Sequence, residues 1–268
     1  MDDVIKSSQN KYVKLAKRLV GSRRFRREKG LFVVEGFRQV SDALSLGFPL
    51  DYILISDQLE KDKLSSLVEA LKAEKVDVFY VQDNFFSSLS ETENPQGVLA
   101  VAKTRILRLQ DLPMEKEDAF FVIADGVQDP GNLGTIIRTA DAAGLEGLIT
   151  TEGTVDVFNG KVVRASMGSL FRIPIVSDVG TAVLITALTN EHFKILVADV
   201  RGEVEYFRVD FTGRTAIVVG NENSGPNSLF REMGQTVRIP CRTESLNVGV
   251  AAAILIYERV RRGEKHGG

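Results

Sequence analysis

Residues Val218 to Pro226 read VVGNENSGP, and Arg238 to Glu258 read RIPCRTESLNVGVAAAILIYE. In each piece an apolar, strand-like run gives way to a small polar turn and then to a helix. α/β proteins use this arrangement to bring backbone N–H groups to a ligand at the carboxyl ends of strands. The second piece adds a constraint, because Asn247 to Tyr257 is apolar almost all the way round, and such a helix must be covered on every side. It is shorter than the roughly 20 apolar residues that span a bilayer. It therefore reads as a helix buried between its own domain and a second subunit.

Working outward, AFFVIADGV (Ala119 to Val127) is a nearly unbroken apolar strand of the kind buried in a parallel sheet. QDPGNLGTIIRTADAAG follows, with Leu133, Ile136, Ile137, Ala140 and Ala143 at helical spacing and Gly144 placed to stop the helix. Arg138 lies off that stripe, so a phosphate or another subunit's carboxylate suits its fork of donors, as does plain exposure. GLIT, VFNGKVVRASMGSLFRIPIV, HFKILVAD and TAIVVGNE continue the alternation of strands and helices.

Gly30 to Lys103 alternates too: LFVVEG, a helix over Phe37 to Leu46, YILIS, a helix over Leu59 to Ala73, VDVFYV, a short helix near Phe85 to Leu89, then GVLAVA. Glu35, at the turn of VVEG, is the one chemical candidate here, and the dipole of the following helix accounts for a carboxylate at that place. The first segment is basic and amphipathic, with Tyr12, Leu15, Ala16 and Leu19 at helical spacing before the arginine-rich SRRFRREKG. Arg23, Arg24, Arg26, Arg27 and Lys29 are suited to neutralising phosphates, and equally to a solvated helical face. The expected division is a basic helical arm (1–29), an α/β domain (30–103), a linker (104–118) and a parallel-sheet domain (119–268).

The composition narrows the chemistry. Among 268 residues there are 2 histidines and 1 cysteine, which leaves little for a histidine triad, a zinc site or a disulfide framework. No metal is expected, and the absence of an apolar leader predicts a cytoplasmic protein. Neither a G-x-G-x-x-G after the first strand of the second domain nor a phosphate-loop G-K-[ST] is present, so NAD and ATP are poor candidates. Acid–base work falls to arginine, glutamate, serine and asparagine. Glu222 leads, with capping of the helix near Pro226 as its structural alternative.

Three stretches in series, DPGNLGTIIRTADAAG, VVGNENSGP and IPCRTESLNVGVAAAILIYE, resemble the three motifs of the SPOUT class of methyltransferases. The resemblance is to the SpoU/TrmH branch, which methylates ribose 2′-oxygens of RNA, and it covers Phe120 to Glu258. LFVVEGFRQVSDAL and NPQGVLAVA resemble the ribosomal-protein-like, RNA-binding α/β domain that often precedes it. The resemblance implies a SPOUT domain with a deep trefoil knot, S-adenosylmethionine as methyl donor and a homodimer formed around the last helix. Val218, Val219, Gly220, Asn221, Ile239, Pro240, Leu246 and Val248 take the positions of the donor pocket. Asn132, Arg138, Glu222, Ser245 and Asn247 take those of the catalytic groups. The implied substrate is structured RNA, ribosomal rather than transfer RNA, and the competing readings are a tRNA 2′-O-methyltransferase, a non-catalytic ribosome-assembly factor and a small-molecule enzyme. Two places depart from the family pattern: the loop Cys241 to Glu244 is short, and Gly249 stands where many relatives have serine.

Overall fold

The computed structural model describes residues 4–60, 65, 67, 71, 76–90, 92 and 94–264. The chain divides into two units, one of residues up to Arg105 together with Phe158–Phe171, the other of Ile106–Val157 together with residues from Arg172.

In the first unit, α1 (Lys11–Gly21) starts where the Asn10 side chain accepts the Tyr12 N–H, and α2 (Arg23–Lys29) starts where Ser22 accepts that of Phe25. Gly30, at φ 62°, closes α2 in the left-handed conformation that glycine adopts without strain. The strands β1 (Leu31–Glu35), β2 (Leu50–Ser56), β3 (Asp77–Val81) and β4 (Val98–Lys103) form a sheet in the order β1-β4-β2-β3. β4 runs antiparallel to both neighbours, and β2 and β3 are parallel. α3 (Phe37–Ser45) and α4 (Asp83–Ser87) complete the alternation. Most of the helix expected over Leu59 to Ala73 lies outside the described residues.

The expected arm is not an appendage. Val13, Ala16 and Leu19 of α1 are buried with Phe25 in one core with Val33, Tyr52, Leu54, Leu99 and Val101 of the sheet. The Tyr52 hydroxyl donates to the Tyr12 carbonyl at 2.7 Å.

The second unit is built on a seven-stranded sheet whose every pairing is parallel. Its strands are β5 (Phe120–Asp125), β6 (Gly147–Thr151), β7 (Ile175–Val179), β8 (Lys194–Ala198), β9 (Val204–Glu205), β10 (Thr215–Gly220) and β11 (Gln235–Arg238). The order is β7-β6-β5-β10-β8-β11-β9. Central β5 and β10 are buried along their whole length, which is why both read as unbroken apolar runs. α5 (Pro130–Ala142), α7 (Thr181–Asn190), α8 (Ser228–Met233) and α9 (Val248–Glu264) pack around this sheet, and α9 lies against both α5 and β10.

Two boundaries differ from the expected ones. The stretch taken as a linker is not one: Leu112 and Met114 are buried in the core of the second unit, with Leu107 and Leu109 packed against it. The segment Phe158–Phe171, containing α6 (Gly160–Ala165), belongs to the first unit. Its aromatic ends pack there in tilted ring contacts, Phe158 with Phe32 and Phe171 with Phe48. Its Arg164 meets Glu35 at 3.3 Å.

That ion pair also revises Glu35. The residue is 7% exposed, and its carboxylate accepts hydrogen bonds from the hydroxyls of Ser90 and Thr92 as well as from Arg164. It does not cap α3, whose first turn is held by the Gln96 side chain accepting the Phe37 N–H at 2.9 Å.

Candidate active site

β8 and β10 end side by side in the second unit, and the turns that follow them open into a cleft of about 1300 Å³. Two further pieces line it, the end of β11 and the segment Glu244–Val248 that leads into α9. The cleft exceeds the roughly 300–1,000 Å³ of ordinary ligand pockets, so it has room for more than one small molecule.

The turn after β10 is set by its sequence. Asn221 and Gly225 exchange backbone hydrogen bonds, and the Asn221 side-chain oxygen accepts the N–H groups of Asn223 and Ser224. The doubled-back chain passes so close to Gly220 that a Cβ there would lie 2.0 Å from the Pro226 nitrogen. No other residue fits position 220 without displacing backbone. Asp125, at the end of β5, accepts the Asn227 N–H on one oxygen and the Thr151 hydroxyl on the other, tying this turn to the centre of the sheet.

At the mouth of the cleft three polar side chains form a chain of hydrogen bonds. The Asn132 amide donates to Glu222 at 2.9 Å, and the Asn247 amide donates to the Asn132 oxygen at 2.8 Å. The Asn247 oxygen in turn accepts the N–H groups of Gly249 and Val250, capping α9. Glu222 also accepts the backbone N–H groups of Gln128 and Asp129, each at 3.2 Å. Burial pushes its carboxyl up, but these donors, Asn132 foremost, outweigh burial and hold it below the ordinary value. Glu222 is thus an ionised acceptor that fixes which way the Asn132 amide points.

The motif residues come together as follows. Val219, Gly220, Asn221, Glu222, Ile239, Ser245, Leu246, Asn247 and Val248 line the cleft. Val218 does not: it is fully buried in the core of the second unit. Pro240 is exposed beside Ile239 and is not part of the lining either. Asn132 reaches the cleft only through Glu222 and Asn247. Arg138 is exposed on α5, with no hydrogen bond or ion pair among the described residues. α9 is not covered on every side within one chain, since Val250 and Tyr257 are each 48% exposed. Gly249 has a local reason: a Cβ there would come within 3.1 Å of the Thr135 methyl, where α9 crosses α5.

Sequence reasoning missed the wall after β8, Asp199 to Glu203, and Arg231 on α8. The polar run ADVRGE resembles any surface turn, and only the pairing of β8 with β10 brings it to the cleft.

The arginine-rich segment is not uniform. Arg26 is 5% exposed and donates to the carbonyls of Leu19 and Val20 at 2.7 and 3.0 Å, so its guanidinium closes the end of α1 and is withdrawn from the phosphate-binding candidates. Arg24, Arg27 and Lys29 are exposed, and Arg23 is half-buried. Among the described residues no group of His, Cys, Asp and Glu could hold a metal ion, and no helix is long and apolar enough to cross a membrane.

Residues 119–257 match the model of the SpoU rRNA Methylase family, and residues 10–100 that of the MRM3-like substrate binding domain. The chain is similar to the 23S rRNA (guanosine(2553)-2′-O)-methyltransferase RlmP of Bacillus subtilis, at 34% identity over 94% of this chain and 97% of that protein. It is also 34% identical to the 23S rRNA (uridine(2479)-2′-O)-methyltransferase of Streptomyces viridochromogenes, over 91% of this chain and 87% of that one. Among solved structures, AdoMet-bound rRNA methyltransferase from Sinorhizobium meliloti superposes with a TM-score of 0.86 at 33% identity, covering 97% of this chain and 98% of that chain. The SpoU methyltransferase AviRb from S. viridochromogenes in complex with AdoMet gives 0.84 at 30% identity, covering 96% and 100%.

Proposed function

The chain belongs to the SpoU rRNA methylase family, and from that membership we propose that it methylates a ribose 2′-oxygen in 23S ribosomal RNA, with S-adenosylmethionine as donor. The observation that carries the reading is the chain Glu222–Asn132–Asn247, which joins one polar residue from each of the three motif stretches at the mouth of one cleft.

The cleft suits the donor. Val219, Ile239, Leu246 and Val248 offer apolar walls for adenine, with the backbone at Gly220 between them. Ser245, Asn247 and the anionic Glu222 are suited to the polar, cationic methionine end. The donor would supply an electrophilic methyl group to an in-line displacement in which the ribose oxygen–methyl bond forms as the sulfur–methyl bond breaks, the neutral thioether leaves and the hydroxyl proton passes to solvent. Alignment is the protein's main contribution, worth on the order of 7–11 kcal/mol in favourable intramolecular cases.

Among the described residues the Arg138 guanidinium has no hydrogen bond or ion pair, and a guanidinium offers donors and no acceptor. Its role is to stabilise the developing alkoxide or the adjacent phosphate, not to accept the proton. Because it does not line its own chain's cleft, the working site is completed by a second copy, in a homodimer built on α9. Val250 and Tyr257, one face of that helix two turns apart, supply the uncovered apolar surface. Arg23, Arg24, Arg27 and Lys29 serve as phosphate contacts, and the protein works in the cytoplasm, on ribosomal RNA.

The reading includes a trefoil knot. β11 pairs with β8 on one side and β9 on the other, which supports a path in which the chain after β10 threads the connection running from β8 through β9 to β10. α9 then returns to β10. The crossing is tight, since a Cβ on Gly202 would lie 2.5 Å from the Arg238 nitrogen.

The test is transfer of labelled methyl from S-adenosylmethionine to ribosomal RNA of a strain lacking the protein, followed by mapping of ribose methylation. One new 2′-O-methyl nucleotide in 23S rRNA is expected, and no incorporation into RNA refutes the assignment.

A further inference from the structure

We propose that Arg231 is a positioning residue for the methyl donor, clasping together the turns that follow β8 and β10. This rests on the reading of the cleft as the donor site.

The two strands run in parallel, but their pairing ends at Val218 opposite Val197. Beyond that point each chain turns into the cleft's lining. Arg231 bridges the gap, as its Nε donates to Asp199 Oδ2 at 2.7 Å and its Nη2 to the Ser224 carbonyl at 3.2 Å. A planar fork of donors can span two such acceptors in fixed geometry, where an ammonium acts as a point charge.

Both anchor points are held by further hydrogen bonds. The other Asp199 oxygen accepts the Arg201 N–H at 2.8 Å, and the Asp199 carbonyl accepts that of Gly202, so one residue both shapes the β8 turn and holds the guanidinium. Gly202 abuts β11, which prevents this turn from retreating. On the other side, Ser224 sits in the turn closed by Asn221 and Gly225. Gly225 matters twice: it takes φ 70°, and a Cβ there would lie 2.6 Å from Arg231 Nη2, blocking the guanidinium's approach. The Asp199 side chain is only 11% exposed, so solvent screens the pair less than it does an ordinary surface pair.

The clasp sets the separation of two walls without touching the reacting atoms. Its loss should weaken the donor's binding in ground and transition states alike, raising KM and leaving turnover at saturation nearly intact. A general loss of stability would not produce that split.

The experiment compares wild type with Arg231→Ala, Arg231→Lys and Asp199→Asn, using calorimetry with S-adenosylmethionine and steady-state methyl transfer to ribosomal RNA. Arg231→Ala should raise both Kd and KM for the donor about tenfold or more, as expected for loss of charge-assisted hydrogen bonds, with kcat falling less than about threefold. Arg231→Lys should fall between it and wild type, and adding Asp199→Asn to Arg231→Ala should cost little more. Should Arg231→Ala not fold, the lysine and asparagine variants carry the same comparison. Donor Kd and KM within twofold of wild type in the folded variants, or a fall in kcat with KM unchanged, overturns the clasp. Wild type that binds no donor overturns the assignment of the cleft itself.

Discussion

Glu35 ends a strand and Glu222 lies two residues past the end of one, each ahead of a helix, yet their surroundings are opposite. Glu35 is enclosed, its oxygens taken up by Ser90, Thr92 and Arg164, and the cluster binds three distant pieces of chain into one unit. Glu222 is exposed at a cleft, accepting from Asn132 and from the backbone at Gln128 and Asp129. Strand-end carboxylates are one motif on paper. What separates architecture from chemistry is whether the donors around them close the site or leave it open to a ligand.

Substitutions can break this contrast. Arg138→Ala, on the chemical side, should lower methyl transfer about 100- to 1,000-fold, the cost of removing one donor from a developing oxyanion, while donor affinity stays within twofold. Labelled-methyl transfer and calorimetry measure the two, and equal loss of both would remove Arg138 from its assigned place. Glu35→Ala should act on folding instead, lowering the urea-unfolding free energy by about 1–3 kcal/mol through loss of the buried acceptor shared by Arg164 and the hydroxyls of Ser90 and Thr92. Transfer per folded molecule should change less than threefold.

Glu222→Gln sharpens the contrast from the other side. Glutamine has one acceptor oxygen where three N–H donors now share two, so Asn132 or a backbone group is left unserved, and kcat should drop about tenfold with stability changed by less than about 1 kcal/mol. The smallest effect is that of pH. The Glu222 carboxyl is held below its ordinary 4.5 in the folded state, so its contribution to stability is complete above that pH and fades as pH falls below it. Thermal unfolding of wild type should therefore lose slightly more than Glu222→Gln does between about pH 6 and pH 3.5, and parallel curves would contradict the shift.

Much of this was legible in the chain. β5 and β10 announce themselves as unbroken apolar runs because both faces of a parallel sheet are covered, and the turn at Gly220 carries its signature in residues that only a doubled-back chain needs. Glu222 was legible as a candidate for the same reason, lying just past a buried strand, whereas Asn132 and Asn247 were pointed to only by the family resemblance. What stayed hidden depends on pairing between distant elements. Nothing in SLFREM marks Arg231 as the partner of Asp199, and nothing in RRFRREK separates buried Arg26 from exposed Arg24 until α1 is laid beside α2. Val218 misses the cleft that Val219 lines because successive residues of a strand point to opposite faces, and Pro240, past the end of β11, is exposed beside Ile239.

The excursion of Phe158–Phe171 limits how the protein can be dissected. A fragment ending at Arg105 would remove Arg164 from Glu35, and one beginning at Ile106 would carry Phe158, Val162, Val163 and Phe171 with no hydrophobic bed to receive them. A chimaera that exchanges target-recognition modules between relatives must therefore transplant fourteen residues from the middle of the methylase sequence along with the amino-terminal third.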